Sequence, residues 1–147
     1  MGLTINLAYM DTAKSILNKY QLRSTNSRIQ ILTLFLQKGV ALSEPDLEES
    51  LQGLCDRVTI YRSLNTYLDK GVIHRVLDDS GVMKFALCKE GCNSTGKHTH
   101  DHVHFKCSVC GDTRCLHEAV IPSISLPAGY EAKEANMLIS GTCPNCS

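Results

Sequence analysis

The sequence predicts an α+β chain in two parts, and three observations carry that prediction. Before residue 71, four stretches repeat apolar side chains at helical spacing; two short β-prone runs follow them; and the second half concentrates sulfur and imidazole. Seven of the eight Cys fall after position 87, and five of the six His lie between His98 and His117. A length of 147 residues suits one domain or two small ones.

Asp11 is positioned to cap a first helix reaching about Tyr20, with Ile16, Leu17 and Tyr20 on one face. Thr25 or Asn26 caps a second, in which Ile29, Leu32, Phe35 and Leu36 recur at helical spacing until Gly39 stops it. Ser43, with Asp46 three residues on and Pro45 in the first turn, opens a short third helix that carries Leu47 and Leu51 and ends at Gly53. Asp56 caps a fourth that runs to about Lys70 and stops at Gly71, with Ile60, Leu64, Tyr67 and Leu68 facing inward. Its other side is polar: Arg57, Tyr61, Arg62, Asn65 and Thr66. Residues 72–77 and 82–88 read as strands around Asp78-Asp79-Ser80-Gly81, a hairpin-turn composition. Helix, helix, turn, helix, hairpin is the order of a winged helix-turn-helix.

Lysine and arginine (15) balance aspartate and glutamate (15), so net charge gives no sign of a polyanionic partner, but the order of the charges does. Lys14, Lys19, Arg23, Arg28 and Lys38 form a basic block; Glu44, Asp46, Glu48, Glu49 and Asp56 an acidic one; Arg57, Arg62, Lys70 and Arg75 a second basic one. Such alternation suits solvated helix faces, or two basic blocks that meet in one patch. No apolar run approaches the ~18 to 20 residues that span a bilayer, and the N-terminus has no basic leader, so a cytoplasmic protein is expected. In that compartment clustered cysteines are metal ligands or redox centres more often than disulfides.

Residues 89–99 lack apolar periodicity and read as a linker, which divides the chain into a domain over 1–88 and another over 100–147. Strand-like segments follow at 103–106, 112–116 and 131–140, while Pro122 and Pro127 leave little room for a long helix. A domain of about fifty residues with few large apolar side chains needs a metal, disulfides or a partner subunit to fold. Cys107-Ser108-Val109-Cys110 and Cys143-Pro144-Asn145-Cys146 supply the metal answer. Four thiolates at about 2.3 Å satisfy the closed tetrahedral preference of structural zinc. The rival is a redox dithiol at Cys143 and Cys146, but that motif normally opens a helix, and none can follow Cys146 at the penultimate position.

His98, His100, His102 and His104 alternate strictly, so in an extended segment they project to one side and Val103 and Phe105 to the other. This pattern beside thiolates predicts a second metal site. Its remaining ligands are sought among His74, Cys88, Cys92 and Cys115, whereas Cys55 reads as a small buried hydrophobe. An imidazole and thiolate donor set favours zinc over iron(II), which takes oxygen-rich ligands.

Three motifs, Arg23-Ser24-Thr25-Asn26-Ser27-Arg28, Val58-Thr59-Ile60-Tyr61-Arg62-Ser63-Leu64, and His102-Val103-His104-Phe105-Lys106-Cys107-Ser108-Val109-Cys110-Gly111 with Cys143 and Cys146, resemble those of the ferric uptake regulator family of metal-dependent bacterial repressors. The likeness runs in order from about residue 10 to 146. It implies an N-terminal winged helix, a small α/β dimerisation domain with structural zinc on Cys107, Cys110, Cys143 and Cys146, and a regulatory ion between the domains. Iron-sensing members place oxygen or imidazole ligands where this chain has Ala41, Cys115, Pro122 and Ala135. The chain therefore looks closest to the zinc-sensing branch, which implies a second zinc, with iron(II) or manganese(II) as alternatives, at His74, Cys88, His102, His104 and Cys115, and His100 as a substitute for either His.

The expected function is a zinc-responsive repressor of metal-uptake genes, binding a double-stranded DNA operator as a homodimer. Base contacts are expected from Tyr61 and Asn65 and phosphate contacts from Arg23, Arg28, Arg57 and Arg62, with Thr59 on the same helix. The alternative is an iron-dependent or peroxide-sensing repressor of the same family. No His-Glu-x-x-His or comparable motif supports a zinc enzyme, and neither a small-molecule substrate nor a membrane partner is expected.

Overall fold

In the computed structural model, which describes residues 6–88, 102–133 and 135–147, the chain runs α1 (Leu7–Lys19), α2 (Asn26–Lys38), β1 (Leu42–Ser43), α3 (Glu44–Ser50), α4 (Arg57–Lys70), β2 (Ile73–Val76), β3 (Lys84–Leu87), β4 (His102–Cys107), β5 (Thr113–Val120) and β6 (Met137–Gly141). Of His102 and Val120 only the backbone is described.

Local chemistry sets most helix ends. Thr25 accepts the Arg28 N–H at 3.3 Å to start α2, and Gly39, left-handed at φ 63°, returns its N–H to the Phe35 carbonyl to finish it. Ser43 and Asp46 form a reciprocal capping box at α3, and Asp56 accepts the Thr59 N–H at 2.7 Å to start α4. Two ends differ from expectation. Helix α1 starts a turn before Asp11, because Asn6 is an equally good cap and accepts the Ala8 N–H. Helix α3 ends at Ser50 with Leu51 as its cap, and Gly53 lies in the turn beyond.

The main core lies between Ala13 and Phe85. Helix α2 is its axis, buried continuously from Ile29 to Phe35, with Leu17, Leu47, Leu51, Ile60, Leu64 and Tyr67 packed around it. The Tyr67 hydroxyl donates to the Arg28 carbonyl at 2.9 Å and ties α4 to the start of α2. Strands β2 and β3 pair antiparallel as the wing, and β1 adds to β3 through Leu42 opposite Phe85. Two residues, the second of them the α3 cap itself, are too few to show periodicity, so β1 is not legible in the sequence.

The second sheet has the order β5-β4-β6, with β6 parallel to β4. Its strands differ in length from expectation: β5 extends to Val120 and β6 begins only at Met137. No helix occurs among the described residues from 102 onward. Register divides the sheet into two faces. His104, Lys106, Thr113 and Cys115 turn toward the wing; Val103, Phe105, Leu116 and Ile139 lie on the other side and make it largely apolar, with Arg114 opposite Phe105 on the same face. The wing and this sheet meet in a small cluster of Ala41, Val76, Ala86 and Cys115, and the Ala41 N–H donates to the Thr113 carbonyl at 2.8 Å.

Two candidate metal centres and a basic helix face

Cys107 ends β4, Cys110 lies in the turn after it, and Cys143 and Cys146 belong to the turn after β6. The turns are tight because Gly111 and Cys146 each return an N–H to the first Cys of their knuckle at 3.0 Å. Gly111 takes φ 80°, which a side chain would resist. The knuckles are held together by the Ser108 N–H and hydroxyl, both donated to the Gly141 carbonyl, and by the Cys143 N–H, which donates to the Cys107 sulfur at 3.4 Å. All four sulfurs lie within 4.8 Å of one another, with Cys110 and Cys143 4.0 Å apart. Ligands 2.3 Å from a tetrahedral centre are separated by about 3.8 Å, so the four fit one zinc-sized ion with small adjustment. Backbone N–H groups of Cys110 and Cys143 hold the Cys107 thiol down to about 6, which favours a thiolate. Cys146 is pushed up to about 12, by its hydrogen bond with Cys143 and by burial, because a second negative sulfur is unfavourable there without a cation.

The second cluster lies where the wing meets the second sheet. His74 comes from β2, and His104 and Cys115 are directly paired on β4 and β5. The ligand atoms of these three lie within 4.8 Å of one another: His74 Nε2 is 3.4 Å from Cys115 Sγ and 3.5 Å from His104 Nε2. Both imidazoles are buried, at 4% and 6% exposure, which suits ligands better than solvated side chains. The His side opens on a cleft of about 680 Å³ lined by Asn65, Ile73, His74, Arg75, His104 and Leu138. Cys115 faces a smaller one of about 320 Å³ between α2 and the wing.

Cys88 is placed differently. Its sulfur is 3.4 Å from Nδ1 of His74, across the ring from Nε2. A sulfur at that nitrogen can hold the tautomer and orientation of the ring. The backbone of His102 lies on β4, while His98, His100 and Cys92 lie outside the described residues.

The polar side of α4 carries Arg57, Tyr61 and Arg62 into solvent, with Tyr61 56% exposed, while Thr59 and Asn65 are half-buried. Arg57 pairs with Glu48 of α3 at 3.3 Å. Arg23 is exposed just before α2, and Arg28 donates from Nη1 to the Arg23 carbonyl at 3.1 Å, which braces it against the same turn. The hairpin turn has a structure its composition did not announce. Asp78, with a fully buried side chain, accepts from Lys84 Nζ and Thr113 Oγ1, each at 2.8 Å, and from Ser80; Asp79 pairs with Lys106. Burial alone would raise the Asp78 carboxyl, but the bonds from Lys84, Ser80 and Thr113 outweigh it and hold it well below the usual carboxylate range.

The profile of the ferric uptake regulator family matches residues 19–139. The chain belongs to that family. Among its family relatives, a zinc uptake regulation protein of Mycobacterium tuberculosis is 26% identical over 131 residues, covering 84% of this chain and 94% of the relative. A zinc uptake regulation protein of Escherichia coli K12 is 24% identical over 141 residues, covering 91% and 78%. A zinc uptake regulator solved in complex with zinc and DNA shares the fold, with a TM-score of 0.58 at 21% identity over 95% of this chain and 93% of that one. The winged helix followed by a small second unit, expected from the sequence, is the fold this family member has.

Proposed function

We propose that the chain is a zinc-responsive, DNA-binding transcriptional repressor of metal-uptake genes, active in the cytoplasm as a homodimer, and a regulator rather than an enzyme. The observation that carries the reading is the joint between wing and second sheet, where His74 comes from one side and His104 and Cys115 from the other. A bound zinc ion would supply a cross-link between the two. His74 would bring the wing, and with it α4; His104 and Cys115 would bring the sheet. The cluster's nitrogen and sulfur donors, without a carboxylate, favour zinc over the iron(II) reading.

The domains proposed are 1–88 for DNA binding and 100–147 for metal binding and dimerisation, joined by 89–99. The apolar face of the second sheet, where Leu116 and Ile139 are 36% and 44% exposed, is the surface assigned to the second copy. In such a dimer two α4 helices must enter major grooves at a set separation, so an arrangement fixed at the joint binds well and a loose one poorly. Taking that population from 1:99 to 99:1 requires about 5.5 kcal/mol of differential binding, and thiolate zinc sites release roughly 10 to 16 kcal/mol in small peptides. Cys107, Cys110, Cys143 and Cys146 would hold a second zinc that does not respond to supply. Tyr61 and Asn65 are assigned to bases, Arg23, Arg28, Arg57 and Arg62 to phosphates.

The test is DNA binding by one purified preparation at buffered free zinc, iron(II) and manganese(II), using a duplex selected from random-sequence DNA by the zinc-loaded protein. Zinc should support tight binding at the lowest free concentration, with affinity falling steeply as salt rises. Equal or better support by iron(II) would overturn the zinc assignment.

A further inference from the structure

The joint that holds the second metal cluster is also closed by contacts that need no ion. Thr113 is fully buried on β5, two residues before Cys115, and two of its polar groups reach the wing unit: the hydroxyl donates to Asp78 at 2.8 Å, and the carbonyl accepts the Ala41 N–H at 2.8 Å. Lys106, two residues after His104, pairs with Asp79. Asp78 and Asp79 follow β2, the strand of His74. Each ligand strand thus carries, beside its ligand, a polar contact across the same gap.

We propose that Asp78, Asp79, Thr113 and Lys106 form a latch that biases the wing toward the second sheet and so sets the free zinc concentration at which the His74, His104 and Cys115 cluster fills. The proposal rests on the functional reading above and adds positioning residues to it. When the joint opens, the Thr113 hydroxyl and carbonyl recover hydrogen bonds with water, so the latch gains only the small net difference and cannot close the joint unaided. It can raise the fraction already closed. A ligand that binds only the closed arrangement loses affinity in proportion to that fraction, and the coupling is reciprocal. Strength of response is then set by the ion, and its threshold by residues that never touch the ion.

The experiment uses the full-length protein with its knuckle zinc in place and titrates a second zinc against a chromogenic chelator. Thr113→Val, which keeps shape and removes the hydroxyl, should weaken the second zinc roughly three- to tenfold. Lys106→Met, which loses a solvent-accessible pair, should weaken it less, by about two- to threefold. Thr113→Ser, which restores the hydroxyl, should bind as the wild type does. Cobalt(II) placed in the site should give the same ligand-field spectrum in all four proteins, since the ligands themselves are untouched. Wild-type zinc affinity in both Thr113→Val and Lys106→Met would overturn the latch while leaving the function standing. A wild-type protein that takes up only its knuckle ion would remove the site and the latch with it. If Thr113→Val melts early, Lys106→Met decides alone: a roughly two- to threefold weaker second zinc supports the latch, and wild-type affinity overturns it.

Discussion

The two units of the chain are held together by different physics. The N-terminal unit buries a continuous apolar core around α2, with Leu17, Leu32, Leu34, Leu47 and Ile60 fully enclosed. Beyond residue 100 the only buried hydrophobic or sulfur side chains among the described residues are Val103, Cys107 and Cys143, and two of those three are knuckle cysteines. Apolar burial drives the first unit; the second is a sheet with little enclosed apolar surface, and in the proposed function an ion and a second copy supply what that core lacks. The His74, His104 and Cys115 cluster lies where the two meet.

The largest effect should follow removal of a knuckle ligand. Cys143→Ser should abolish the folded second unit and the dimer while α2 and its neighbours stay helical, as read by circular dichroism and sedimentation. Strong chelation should reproduce it. A variant that melts and sediments like the wild type would show that the second unit has another source of stability. The reverse experiment is a cavity in the first unit. Leu64→Ala should cost about 2 to 5 kcal/mol of unfolding free energy and leave the knuckle zinc bound. Loss of zinc in that variant would mean that the units do not fold independently.

Smaller effects test function rather than folding. Arg62→Ala and Tyr61→Ala should each weaken DNA binding by about 1 to 3 kcal/mol with no change in zinc content. Normal binding by both would exclude α4 as the reading helix. The smallest expected effect is Ser43→Ala, which removes one side of the α3 capping box and should cost about 1 kcal/mol.

Legibility followed the range of the interactions. Caps at Thr25, Ser43 and Asp56 and stops at Gly39 and Gly71 are settled within four residues, and the sequence displays them directly. The start of α1 lies a turn before the expected cap because Asn6 and Asp11 are equally competent caps, and neither carries a mark that says which one the chain uses. The four knuckle sulfurs were legible because each pair is local and only their meeting is not. The contacts of His74 with His104, Cys115 and Cys88 join positions 30, 41 and 14 residues apart, so the sequence supplied the candidates without their order around the ring. The latch was invisible for the same reason. Asp78 and Asp79 have a turn composition, and nothing local announces Thr113 or Lys106 as their partners.

In the proposed function one ion folds the second unit and another, at the joint, governs DNA binding. The most direct measurement is DNA binding by His74→Ala across buffered free zinc, on protein whose zinc content and sedimentation are measured in the same preparation. His74→Ala should be a folded dimer with one zinc per chain and no zinc-dependent rise in affinity over the range that saturates the wild type. A His74→Ala protein that binds the same duplex with wild-type zinc dependence would contradict it.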